Sequence, residues 1–177
     1  PTTGSTGDGY KLARQAGHTL VEPVPSLVSL VSRDPDCKKM MGLALKNVTL
    51  TLFEDDKAIF DEQGEMLFTH FGVSGPLVLS ASSRIADSPE GVRLTIDMKP
   101  GLTPDELDRR ILRDFEKYQR KQLINGLNDL LPSRLIPVVI SISGVPAEIN
   151  ISSVTKAMRE SLVKTVNCIP LTVDHAL

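Results

Sequence analysis

The stretch Val92-Arg-Leu-Thr-Ile-Asp-Met98-Lys-Pro-Gly-Leu-Thr103-Pro-Asp-Glu-Leu107 holds two periodicities end to end. Val92, Leu94, Ile96 and Met98 alternate with Arg93, Thr95, Asp97 and Lys99, which predicts a half-buried strand. From Thr103 the period becomes helical. Thr103 stands at the N-cap, Pro104 at the first helical position and Glu106 at the third, the residues of a capping box. Leu107, Ile111 and Phe115 then repeat at four-residue spacing on one face. A strand that feeds a capped amphipathic helix points to an α+β chain with its helices segregated from its sheet.

Downstream the helical pattern continues. Leu123, Ile124, Leu127, Leu130 and Leu131 predict a second helix, and Leu135 to Ile142 a short apolar third. Ser152 or Ser153 is expected to cap a fourth, carrying Val154, Met158, Leu162 and Val166. Together these make a small packed bundle. Pro170 to Val173 reads as the start of another strand.

Upstream the pattern is β. Thr19 to Ser32, with Pro23 and Pro25, reads as an extended entry segment followed by a strand, and Arg33 to Lys39 as a loop. Leu43 to Phe53 alternates, with Val48, Leu50 and Leu52 on one side. Glu54-Asp55-Asp56 and Asp61-Glu62-Gln63-Gly64 read as two turns of a meander of short antiparallel strands. Short meandering strands need edge closure, so the β part is expected to be barrel-like. Leu77 to Ile85 is a predicted helix with Ser74 near its N-cap and Pro76 in its first turn. The expected division is a flank at 1–18, a β-barrel-like domain at 19–101 and 169–177, and a helical insertion at 102–168.

Composition narrows the function classes. Of 177 residues, 41% are hydrophobic and 24% charged, enough for a real core. The net charge of −2 supplies no strong field for nucleic acid or anionic lipid, and no apolar run spans a bilayer. Aromatics at 4%, without Trp, argue against a base-stacking platform. An RNA-binding barrel is therefore disfavoured. Two cysteines make no disulfide framework, and no metal-ligand spacing surrounds them.

Two strings hold candidate chemistry. In Gly4-Ser-Thr-Gly7-Asp-Gly9, glycines precede a short helix, Tyr10 to Ala16, so backbone N–H groups can approach an anion, and the helix N-terminus favours negative charge. The spacing is neither a dinucleotide fingerprint nor a P-loop, and a plain turn with an N-cap explains it as well. In Phe68-Thr-His70-Phe-Gly72-Val-Ser74-Gly75-Pro76, a strand end, a histidine and a glycine turn lead into a helix. His70 can donate a hydrogen bond or shuttle a proton near neutral pH. By spacing alone, a histidine satisfied at a strand end is the favoured alternative. Arg109, Arg110, Arg113, Lys117, Arg120 and Lys121 form a basic stripe interleaved with acids, which reads as a solvated helix face. His18, His175, Cys37 and Cys168 carry weaker signals still.

The strings Pro1-Thr-Thr-Gly-Ser-Thr-Gly-Asp-Gly-Tyr10 and Gly64-Glu-Met-Leu-Phe-Thr-His-Phe-Gly-Val-Ser-Gly-Pro76 resemble the YhiN-like bacterial flavoproteins. Pro25 to Leu30 and Leu43 to Val48 look like that family's linking strands. The resemblance implies an FAD-dependent oxidoreductase in which a Rossmann-type FAD domain is interrupted by a barrel carrying a helical insertion. It implies that this chain is an internal piece holding the inserted domains, inactive alone, with the FAD domain as its partner; a cytoplasmic setting is expected only from the absence of a signal-peptide pattern. The family's Gly-x-Gly-x-x-Gly fingerprint has no counterpart here. Cofactor contacts would fall on Thr3, Gly4, Thr6, Gly7, Asp8 and Gly9, and on Thr69, Gly72, Ser74 and Gly75. His70 would act on a small-molecule substrate, with NAD(P)H a possible electron donor. The competing expectation is a non-catalytic interaction or self-association module. Neither expectation includes nucleic acid or a membrane as partner.

Overall fold

A computed structural model describes residues 4, 6–24, 26–85 and 92–177. In chain order the elements are α1 (Asp8–Gln15), β1 (Leu30–Val31), α2 (Pro35–Lys39), β2 (Ala44–Glu54), β3 (Lys57–Phe68), β4 (Gly72–Ser74) and α3 (Pro76–Ser82). There follow β5 (Arg93–Asp97), α4 (Pro104–Lys117), α5 (Ile136–Ser143), α6 (Lys156–Asn167), β6 (Ile169–Thr172) and β7 (His175–Ala176). Short 3-10 turns at Leu123–Asn125 and Ile151–Ser153 flank α5.

The strands form one antiparallel sheet in the order β6-β5-β2-β3-β4-β1-β7. Its spine is the β2–β3 hairpin, turned by Asp55 and Asp56, both at positive φ as a two-residue hairpin turn requires. The second turn expected at Asp61–Gly64 does not form, and β3 runs unbroken to Phe68. Asp61, Glu62 and Gln63 pair across from Thr51, Leu50 and Thr49, and the Thr51 hydroxyl donates to the Asp61 carboxylate at 2.6 Å. Gly64 makes room rather than a turn: a Cβ there would sit 3.1 Å from Leu77 of α3.

The barrel-like expectation is corrected. The ladder stays open, with β6 at one edge and β7 at the other. Both edges belong to one segment, which changes partners in its middle: the Val173 N–H donates to the Val92 carbonyl and the Asp174 N–H to the Val31 carbonyl. The two edge strands therefore lie in line, not side by side, and do not bond to each other. The expectation rested on short strands, whereas β2 and β3 are long.

Thr103 does cap α4. Its hydroxyl accepts from the Glu106 N–H, and the Glu106 carboxylate accepts the Thr103 N–H at 2.9 Å. Leu107, Ile111 and Phe115 are buried beneath it. Thr103→Ala is expected to cost about 1 kcal/mol, read as a lower urea midpoint at unchanged slope. Arg159 of α6 donates to both Asp108 oxygens and ties that helix to α4.

Three further readings are corrected. Leu123 to Leu131 is a 3-10 turn followed by turns, not a helix, although Leu123, Leu127, Leu130 and Leu131 are all buried. Gly126 lies flat against Ile151, where a Cβ would come within 2.4 Å of its Cδ1. The last helix is capped by Thr155, whose hydroxyl accepts from the Met158 N–H, and not by Ser152 or Ser153. Within Arg33–Lys39 lies α2, started by Pro35 after Asp34, and it buries Cys37. Burial pushes that thiol up to about 11. One continuous core joins sheet and helices, and the Met98 N–H donates to the Val166 carbonyl where β5 meets α6.

Candidate functional site

The N-terminal loop presents acceptors. Gly4 and Gly7 both adopt positive φ, with Gly7 in the left-handed region at the N-cap of α1. The Thr6 hydroxyl bonds the Asp8 carboxylate, and Lys11 approaches the same carboxylate at 3.0 Å. These two contacts, Thr6 first, hold the Asp8 carboxyl below the usual carboxylate range. The positive end of α1 thus already faces a carboxylate. The loop suits a ligand hydroxyl or N–H better than a phosphate. No residue of α1 is buried, and Tyr10 and Leu12 stand in solvent. Thr3 lies outside the described residues.

The second string folds as the tight β3–β4 hairpin. The Thr69 N–H donates to the Gly72 carbonyl at 2.8 Å, and the Thr69 hydroxyl accepts from the Gly72 N–H at 3.1 Å. His70 and Phe71 form the tip, their rings edge to face with centroids 4.9 Å apart. His70 is exposed at the tip, and the glycines allow a tight turn, as the plain alternative has it. The Ser32 N–H donates to the Phe71 carbonyl, and the Ser29 hydroxyl donates to Ser74 Oγ at 2.8 Å. Ser82 of α3 accepts from the Val28 N–H and donates to the Leu79 carbonyl. The tip is therefore held on both sides, and among the described residues the His70 ring makes no hydrogen bond or ion pair.

The glycines of this hairpin are there for contact. A Cβ on Gly72 would lie 2.2 Å from the Leu30 carbonyl oxygen, so only glycine lets β4 lie against β1. Gly75, at φ 96°, would place a Cβ 3.0 Å from Met66 Cα. Gly75, not Ser74, is the N-cap of α3, with Pro76 in the first turn as expected. Gly72 and Gly75 thus set the shape of the hairpin rather than open a space beside it.

Among the described residues, no hydrogen bond or ion pair joins the N-terminal loop to this hairpin. Sequence reasoning missed what the register gathers beside the hairpin. Gly72, Val31 and His175 form one row across β4, β1 and β7. His175 Nδ1 lies 2.9 Å from Asp174, which also pairs with Arg33 at 3.0 Å. The histidine contact, then Arg33, holds the Asp174 carboxyl below its ordinary value. No local signal could have shown that the chain's last strand lies two strands from Gly72.

A cavity of about 250 Å³ opens near the base of the hairpin, with Phe68, Met40, Ile96 and Ile169 in its apolar wall and Asp34 and Asp36 at one side. A larger groove, about 570 Å³, runs between α4 and α6 past Asp105, Lys164 and Cys168. Among the described residues no cluster of His, Cys, Asp or Glu could hold a metal ion, and no helix is long and apolar enough to cross a membrane.

Comparison with known proteins adds the following. Residues 24–176 match the family described as HI0933-like protein barrel and H2TH domain. The chain is 28% identical over 97% of its length to a 3-dehydro-bile acid delta(4,6)-reductase of Clostridium scindens. It is 29% identical over 94% of its length to a ribosomal RNA dihydrouridine synthase of Haemophilus influenzae, and 25% identical to one of Escherichia coli. It spans about two-fifths of the length of these relatives, 42%, 39% and 39% in turn.

Proposed function

The chain belongs to the HI0933-like family, and on that premise we propose that it forms the substrate-side part of a longer flavin-dependent reductase. The relatives' names share one reaction type. A bile acid with a 3-oxo group and 4,6-unsaturation, and a uridine, each offer a C=C bond conjugated to a carbonyl. The proposed substrate class is such an activated alkene. The division into a flank at 1–18, a β domain at 19–101 and 169–177 and a helical insertion at 102–168 belongs to the same proposal. So does a cytoplasmic setting, in keeping with the free thiols of Cys37 and Cys168.

The single observation that carries the reading is the β3–β4 hairpin: a histidine held out on a tip whose backbone is locked on both sides. The acceptors of the N-terminal loop fit the hydroxyl-bearing part of FAD, with Thr6, Gly7 and Asp8 as its contacts. Bound FAD, reduced by NAD(P)H, would supply the hydride. His70 would donate a hydrogen bond to the substrate carbonyl and draw electron density from the β-carbon. Thr69, Gly72, Ser74 and Gly75 would hold that histidine in place. A second reading, a self-association or interaction module, draws on the exposed apolar side chains Tyr10, Leu12, Val21, Val24 and Leu27. In the reductase reading the FAD domain covers them.

The test is made on the longer protein. It should show the visible absorption bands of bound flavin. His70→Ala should slow turnover of an enone substrate on the order of a hundredfold, with NAD(P)H-driven flavin reduction unchanged. An unchanged turnover removes His70 from the mechanism. A protein that neither carries nor takes up flavin ends the reductase reading and leaves the interaction module.

A further inference from the structure

We propose that the cavity at the base of the β3–β4 hairpin binds a small primary amine, held as the ammonium, with an apolar body. The cavity opens where α2, α5 and the free edge of β6 meet. Its floor belongs to the core, with Met40, Ile96 and Ile169 all buried. Its rim includes two apolar side chains that stand in solvent, Ile142 of α5 and Pro170 of β6. The volume of about 250 Å³ exceeds the roughly 150 Å³ that holds benzene and falls just short of the roughly 300–1,000 Å³ of drug-sized ligands. One ring with a short arm fills it.

The polar groups of this cavity are acceptors. Asp34 holds the N-cap position of α2, yet its side chain makes no cap bond. One of its oxygens turns to β6 instead and accepts from the Thr172 N–H at 3.3 Å. Asp34 has no cation partner among the described residues, and Asp36 has Lys39 on one oxygen, at 2.7 Å. Because Thr172 sends its N–H away from β5, antiparallel alternation turns the Pro170 carbonyl to the same free edge. Proline has no N–H to set beside it. Among the side chains that line the cavity, only the Thr172 hydroxyl can donate a hydrogen bond. An ammonium is donor-only, with three N–H groups and a positive charge, and it complements this set.

Other occupants fit less well. An anion meets two carboxylates, and a neutral apolar molecule leaves Asp34 without a counter-charge. Among the described residues no cluster could hold a metal ion. A peptide strand cannot add to the β6 edge, because Pro170 lacks the donor and the Thr172 N–H is already taken by Asp34. A lysine side chain brings the same ammonium, but its unbranched stem leaves the breadth of the cavity unfilled. Neither His70 nor any residue of the N-terminal loop lines the cavity. The proposal therefore does not rest on the reductase reading.

The experiment is methyl NMR of the methionine-labelled chain, titrated at neutral pH with phenethylamine, 2-phenylethanol, phenylacetate and Nα-acetyl-lysine amide. Circular dichroism establishes that the chain and its variants are folded, and the longer protein takes the chain's place if it is not. Phenethylamine should shift the Met40 methyl, which walls the cavity, and leave Met158 of α6 unmoved, with a Kd below about 1 mM. 2-Phenylethanol should bind roughly tenfold more weakly or worse, and Asp34→Asn should cost the amine a similar factor. Asparagine keeps an oxygen for the Thr172 N–H, so the edge contact survives the substitution. Asp36→Asn should cost less, because Lys39 already pairs with that carboxylate. Absence of a Met40 shift at about ten times that concentration of amine overturns the proposal. Amine affinity unchanged in Asp34→Asn overturns it too, as does equal binding of 2-phenylethanol or phenylacetate. Tighter binding of Nα-acetyl-lysine amide than of phenethylamine overturns the small-molecule assignment in favour of a protein's lysine.

Discussion

Gly72→Ala should be the most damaging small substitution in the β part, lowering stability by about 2–4 kcal/mol. Two effects add. The added Cβ would fall 2.2 Å from the Leu30 carbonyl oxygen and 2.8 Å from the Ser32 nitrogen, both backbone atoms that no rotamer change can move. Overpacking of this kind costs about 1–3 kcal/mol or more. The residue also sits at φ 156°, at the border of the region L side chains avoid, for about another 1 kcal/mol or more. Relief requires β1 to part from β4, breaking the Leu30–Val73 and Val31–Gly72 register. That would uncover the buried Leu30 and Val73 and loosen the Ser32 bond to the Phe71 carbonyl. For a domain stable by roughly 5–15 kcal/mol the loss is large. Gly101→Ala is the control, since nothing lies within 4 Å of a Cβ there. Urea unfolding of the two variants should separate their midpoints widely. A Gly72→Ala protein within about 1 kcal/mol of wild type would show that the β1–β4 contact is not as close as described.

The same contact shows why some of the molecule could be read in advance and some could not. Local determinants were legible. The capping box at Thr103, the alternation of Val92 to Met98 and the Val48, Leu50, Leu52 face all depend on residues within one element, and each is found where the spacing puts it. The failures have long-range causes. Asp61 to Gly64 has turn composition, yet Leu77 and the paired β2 keep it in a strand. Leu123 to Leu131 has helical spacing, yet Gly126 yields to Ile151. The barrel expectation was drawn from short strands, whereas pairing across the sheet carries β2 and β3 to 11 and 12 residues. For the candidate site, the strings holding Asp8 and His70 were visible as motifs. The clamps from Ser29, Ser32 and Ser82, and the approach of Asp174 and His175, come from distant parts of the chain.

Phe68→Ala tests whether the hairpin is held from below as well as from its sides. Phe68 is 1% exposed at the end of β3. Its N–H donates to the Leu43 carbonyl, and its own carbonyl accepts from the Gly42 N–H. It also walls the cavity shared with Met40, Ile96, Val138 and Ile169, so it meets the end of α2, α5, β5 and the β6 edge. Truncation removes the transfer free energy of a phenyl ring and enlarges a cavity already about 250 Å³ in volume. Because space is present next to it, the neighbours gain little by collapsing, and the cost should fall near the upper part of the 3–5 kcal/mol range for Phe→Ala. Phe68→Leu, which keeps most of the volume, should cost about 1–1.5 kcal/mol. The functional consequence follows from position. Thr69 and His70 come directly after Phe68, so a loosened β3 end should let the tip wander. Hydrogen exchange at the Gly72 amide, which donates to the Thr69 hydroxyl, should then quicken in Phe68→Leu by more than global destabilisation explains. Exchange that rises only in step with global stability would mean that the clamps from Ser29 and Ser32 suffice to hold the tip, and that Phe68 serves the core alone.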